Sequence, residues 1–160
     1  MESEHVFQPH PESPYWNRDL PSYIENRLNE VANKTEPEVE ISLRTHQSPE
    51  RVLYNRLVSL LSEEIADWND ESLQREYEDV VIAFGIIAFP NFNQLEKPIF
   101  VNRLKRYKES HEKEGEIVIG VSLTPEQSRL LKMVAQRINL PYDETRTNIP
   151  FWAVNMDDSI

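Results

Sequence analysis

The sequence predicts a mainly helical α+β protein. About five helices pack with a small two-stranded sheet, an extended arm precedes them over 1–19, and an irregular tail follows over 141–160. One globular domain occupies 20–140. Three observations carry this prediction. Apolar residues recur at steps of three and four through most of the middle of the chain. Two short stretches, near 39–43 and 117–123, switch to a β-type pattern. Only three glycines occur in 160 residues, too few for the many turns of an all-β architecture.

The arm carries Pro9, Pro11, Pro14 and Pro21 and has no apolar period. Proline lacks an amide proton and biases its predecessor away from helix, so this stretch reads as extended. Phe7, Tyr15 and Trp16 are unusual in a purely solvating segment. Tyr15 and Trp16 are therefore candidate anchors, either on the domain itself or on a partner, within a loose Pro-x-x-Pro spacing. A first helix is expected over Leu20 to Lys34, where Ile24, Leu28 and Val31 make one apolar stripe. Val39, Ile41 and Leu43 then alternate with Glu40, Ser42 and Arg44, the period of a strand with one buried face.

Ser48-Pro49-Glu50 is a helix start, with Ser as N-cap, Pro at the first helical position and an acid at the positive dipole end. Leu53, Leu57, Leu60, Leu61, Ile65 and Trp68 continue that helix to about Trp68. Leu73, Tyr77, Val80, Val81, Phe84 and Ala88 define the next one. Its second half is apolar all round, as in a buried central element. Val80-Val81-Ile82 and Ile86-Ile87 are β-branched and admit a buried strand at 80–89, but the run joins periodic residues upstream, which favours helix. Pro98 suits the first turn of a further helix striped by Phe100, Leu104 and Tyr107. Ile117 to Leu123 reads as the second strand. Thr124-Pro125-Glu126-Gln127 is a capping box, and Leu130, Leu131, Val134 and Ile138 carry its helix to Asn139, before Pro141. Ile149, Phe151, Trp152 and Val154 are candidate anchors in the tail, Phe151 and Trp152 foremost.

Val121-Ser122-Leu123-Thr124-Pro125-Glu126-Gln127 and the amphipathic helix after it resemble the opening of a ribbon–helix–helix DNA-binding unit. The resemblance covers about twenty residues and would put alternate strand residues in the major groove. Glu116, Val118, Gly120 and Ser122 would lie on that side, and none is a base-reading Arg, Lys, Asn or Gln. Pro141 and Pro150 leave little room for the second helix, so the function is not carried over.

The chemistry the chain lacks narrows the classes of function. With no Cys there is no disulfide framework, no thiolate nucleophile and no Cys-ligated metal. No Gly-x-Ser-x-Gly elbow, Walker A segment, Gly-x-Gly-x-x-Gly turn, His-Glu-x-x-His pair or EF-hand loop occurs. His5, His10, His46 and His111 read as surface histidines. Asp67, Asp70, Glu71 and Glu78 near one turn would suit magnesium, but an acidic helix cap explains them equally well. No catalytic residue, cofactor or metal is expected. The longest apolar run, Val80 to Phe89, is half of what a membrane span needs, and the acidic start does not resemble a signal peptide. The reading is a cytoplasmic protein, with the nucleus left open and no membrane partner.

The net charge is −11, and its distribution is lopsided. Residues 1–79 hold 18 acids and 7 bases, whereas residues 80–160 hold 10 of each. A one-sided field of this sign favours basic partners. The expected function is therefore non-catalytic: an adaptor or inhibitor, in the limit a nucleic-acid mimic, that engages a basic protein. Glu36, Glu38, Glu40, Glu63, Glu64, Asp67, Asp70 and Glu71 are the expected acidic face. The alternative is a nucleic-acid-binding regulator that uses the basic helix 98–108, with Arg103, Lys105, Arg106 and Lys108 on phosphates. A carboxylate-based enzyme is the third reading. The apolar faces also leave room for a homodimer.

Overall fold

The most apolar stretch of the sequence makes the central element. In the computed structural model, which describes residues 20–34, 38–66, 71–112, 115 and 118–151, a helix over Glu71–Ala88 buries both flanks of its second half. Val80, Val81, Ile82, Ala83, Phe84 and Ala88 are fully buried in it. Such a helix needs neighbours on several sides, and the chain supplies them. The order is α1 (Leu20–Lys34), α2 (Glu38–Thr45), α3 (Pro49–Leu60), α4 (Glu71–Ala88), α5 (Lys97–Glu112), β1 (Gly120–Ser122), α6 (Pro125–Gln136) and β2 (Asn148–Pro150). Helices α3, α5 and α6 and both strands pack on α4, while α1 packs on α6 and α2 on α3. The architecture is mainly helical with one two-stranded antiparallel sheet among the described residues. The arm, with Tyr15 and Trp16, lies outside the described residues, as does Trp152.

The helix starts follow their sequence signals. Ser48 accepts the Arg51 amide on its hydroxyl at 3.1 Å, and Pro49 opens α3. At α6 the capping box closes in both directions. The Gln127 amide bonds Thr124 Oγ1 at 3.1 Å, and the Thr124 amide bonds Gln127 Oε1 at 2.7 Å. The Gln127 amide group also donates to the Glu76 carbonyl at 2.9 Å, which docks the start of α6 on α4. A buried carboxylate ties two turns together: Glu96 accepts from the Ser48 amide at 2.6 Å, the Ser48 hydroxyl at 2.8 Å and the Asn93 amide at 3.0 Å. The stretch 80–89 is helix up to Ala88, followed by a 3-10 turn over Phe89–Asn91.

Two expectations are corrected. The stretch 39–43 is not a strand but the middle of helix α2. Its alternation does not mark a buried face, because Leu43 is 76% exposed. Acids in the first turn and Arg44 in the last suit the helix dipole instead. The partner of β1 is consequently Asn148–Pro150, in the stretch expected to be irregular. Val121 pairs with Ile149, and Gly120 with Pro150. The backbone bonds from Phe151 to Ile119 (2.9 Å) and from Leu123 to Thr147 (2.8 Å) flank the ladder. Pro150 is tolerated because it sits at the end of a two-stranded ladder. Opposite it a side chain on residue 120 would collide: a Cβ there would lie 2.6 Å from the Ile149 carbonyl oxygen. This pairing is made within the chain, around α6.

Candidate functional site

A cleft of about 400 Å³ opens between α1, α2 and α3. Leu28, Ile41, Val52 and Leu60 supply its apolar part. Gln47, Asn55 and Ser59 add neutral polar groups, while Arg27, Arg56, Glu63 and Glu64 add charge. The α3 residues come from one face of that helix, since 52, 55, 56, 59 and 60 lie three and four apart. Clefts of this size and mixed lining suit a small ligand or a side chain of a partner.

The carboxylate end of the cleft owes its shape to an irregularity. After Leu60 the helix widens into a π turn over Leu61–Ile65, and the Ala66 amide reaches back to the Leu61 carbonyl. A π turn adds one residue to the coil and rotates everything after it. Ile65 thereby stays fully buried, Leu61 is only half-buried, and Glu63 is exposed. Glu64 turns toward α1, where it accepts the Tyr23 hydroxyl and the Arg27 guanidinium, the latter at 3.4 Å. Burial and the neighbouring Glu64 carboxylate both push the Tyr23 hydroxyl pKa well up, so it stays a donor.

The two cleft arginines are already held. Arg27 bonds Glu30 as well as Glu64. Arg56 pairs with Glu38 at 2.7 Å, and Arg137 of the segment after α6 reaches the same Glu38 oxygen at 3.3 Å. Glu38 is thus a buried joint between α2, α3 and the end of α6, only 5% exposed, and not part of an open acidic face. Expected as a partner contact, Glu38 is claimed instead by two arginines distant in sequence. Of the remaining expected acids, Glu40, Glu63 and Glu71 are exposed and Glu64 is half-buried. Glu36, Asp67 and Asp70 lie outside the described residues. Glu63 and Glu64 share the cleft; Glu40 stands on α2 and Glu71 opens α4.

The basic helix is partly neutralised from within. Arg103 bonds Glu78 at 2.9 Å, and Lys108 bonds Glu112 at 2.6 Å. Lys105 is half-buried and Arg106 exposed, neither with an ion-pair partner among the described residues. Phe151 is a core residue, 6% exposed and edge-on to Tyr107 at 6.3 Å, so its anchoring is to its own domain. Among the described residues no three His, Cys, Asp or Glu side chains come together to hold a metal, and no helix is long and apolar enough to cross a membrane.

Sequence reasoning missed most of the cleft. Asn55 and Ser59 at i and i+4 were a legible signal of a polar strip beside the apolar stripe of α3. Arg27 and Arg56 gave none, because their partners come from other helices. No family model matches the chain, and no curated protein or solved structure is significantly similar to it.

Proposed function

We propose that this chain is a non-catalytic binding protein, an adaptor or inhibitor, that receives a basic, partly apolar segment of a protein partner in the α1–α2–α3 cleft. The observation that carries this reading is the charge pairing around an apolar cleft. Arg27 and Arg56 are engaged by Glu30, Glu64 and Glu38, which leaves Glu63 exposed at the rim beside Leu28, Val52 and Leu60. An apolar side chain would fill the cleft, and a neighbouring Lys or Arg would meet Glu63. The acid surplus of residues 1–79 adds long-range attraction for such a segment.

The test is fluorescence anisotropy with a short labelled amphipathic peptide of Leu and Lys. Saturable binding that weakens as salt rises is expected. Glu63→Lys should weaken it about five- to tenfold, through one attraction lost and one repulsion gained. Glu109→Lys, the same charge change at an exposed residue of α5, should leave it unchanged. Equal effects of the two reversals, or an affinity indifferent to salt, would overturn the reading.

A further inference from the structure

The groove between α4 and α5 has the opposite chemistry. Its volume is about 440 Å³, and it is lined by Arg75 and Glu78 from α4 and by Arg103, Arg106, Tyr107, Ser110 and His111 from α5. Residues 103, 106, 107, 110 and 111 are spaced to share one helix face. We propose that this groove binds a small organic molecule carrying a phosphate monoester.

Acids outnumber bases by 28 to 17 in this chain, so an arginine has carboxylates to choose from. Three arginines nevertheless converge on one groove that a single carboxylate lines. That carboxylate, Glu78, takes Arg103 Nη2 at 2.9 Å, while Arg103 Nε is buried with no acceptor. Arg75 and Arg106 have no ion-pair partner among the described residues, although they face a common space from opposite helices. Two like charges that line one groove favour an anion between them, and a dianion matches their combined charge. The planar guanidinium fork suits phosphate oxygens in paired bonds.

The rest of the lining suits an organic body. Asp79 behind the groove does not compete for the arginines, since it accepts the Tyr107 hydroxyl at 2.8 Å. Tyr107 in turn stacks on His111 with ring centroids 4.1 Å apart and planes inclined by 32°. His111 Nδ1 donates to the Tyr107 carbonyl at 2.9 Å, which holds the ring against α5. The half-buried His111 ring over Tyr107 gives an aromatic side, the exposed Ser110 adds a hydroxyl, and the volume exceeds what a bare phosphate fills.

Phenyl phosphate is the probe, followed by isothermal titration and amide chemical shifts, with inorganic phosphate and benzoate beside it. One saturable site is expected, tighter for phenyl phosphate than for either control. Arg75→Ala and Arg106→Ala should each weaken it about tenfold, the loss of one charge-assisted bond. Both residues are exposed, and an unchanged circular dichroism spectrum will show that the fold survives. Peptide binding in the α1–α2–α3 cleft should be unaffected by either variant, so the two proposals stand or fall separately. The proposal is overturned if phenyl phosphate does not saturate, or if the double variant binds as the wild type does. Equal affinity for inorganic phosphate would reduce the groove to a nonspecific anion site and overturn it too. Displacement of phenyl phosphate by an oligonucleotide whose affinity falls in Lys105→Ala/Lys108→Ala would assign the face to nucleic acid instead.

Discussion

Replacing Gly85 by alanine sets two effects of known sign against each other. Alanine in a helix interior gains about 1 kcal/mol over glycine. At Gly85, however, a Cβ would lie 2.0 Å from Phe100 Cε1 and 2.6 Å from Cδ1 and Cζ. Carbon atoms in contact prefer about 3.5–4.0 Å, so the ring must retreat by roughly 1.5 Å. It has nowhere to go. Phe100 is fully buried, with Tyr54 edge-on at 5.5 Å, Phe92 edge-on at 5.8 Å and Phe89 at 6.2 Å. Overpacking of this kind costs about 1–3 kcal/mol, and each displaced aromatic contact about 0.5–1.5 kcal/mol more. The net expectation for Gly85→Ala is a loss of about 2 kcal/mol, which lowers Tm by about 4–8 °C for a domain of this size. Urea and thermal unfolding followed by circular dichroism will measure it. Phe100→Leu removes the ring, so Gly85→Ala should cost much less in that background than in the wild type. A Gly85→Ala variant as stable as the wild type, or a cost that Phe100→Leu does not reduce, would refute the packing assigned to α4 and α5.

Three further outcomes are expected. Glu38→Ala leaves Arg56 and Arg137 facing each other with side chains only 10% and 18% exposed, and should cost about 3 kcal/mol in urea unfolding, against less than about 0.5 kcal/mol for exposed Glu40→Ala. The Asp79 carboxyl has its pKa raised above the ordinary 3.8, first by burial, so the folded state holds that proton to higher pH than the unfolded one. Its contribution to stability is therefore lost as pH rises through the raised value. Asp79→Asn, which keeps an acceptor for Tyr107, should gain stability relative to the wild type at pH 7 and lose that advantage below the ordinary carboxylate range, as read by urea unfolding at both pH values. Ser128 Oγ lies 2.6 Å from the Glu144 carbonyl, 2.9 Å from that of Arg146 and 3.0 Å from the Tyr142 hydroxyl, and so pins the loop that leads into β2. Ser128→Ala should cost about 1–2 kcal/mol and speed hydrogen exchange at the Phe151 and Leu123 amides that flank the ladder.

What was legible in the sequence was local. Ser48-Pro49-Glu50 and Thr124-Pro125-Glu126-Gln127 name their own helix starts, because a cap bond spans three residues. The apolar wrap of 80–88 announced the central helix for a similar reason: a helix buried on every side has no polar face to lose. The α2 segment was misread because three alternating apolar residues fit either period, and the arbiter, Glu38 bridged to Arg56 and Arg137, spans 18 and 99 residues of chain. The same distance hid β2, whose three residues acquire a ladder only because α6 returns the chain to β1. In the candidate site the acid surplus was visible, but its division into structural and open carboxylates was not. That division depends on the π turn that exposes Glu63 and turns Glu64 toward Tyr23, and no residue pattern in Leu61–Ile65 announces it.

The placement of a bound basic segment tests the central claim most directly. Amide and methyl chemical shifts of the labelled protein, titrated with the Leu/Lys peptide at low and at high salt, report where it sits. Leu28, Ile41, Val52, Leu60 and Glu63 should move together and saturate with one constant, while resonances of α5 stay still. Perturbations spread evenly over exposed acids such as Glu40, Glu71 and Glu109, with the cleft residues unmoved, would contradict it.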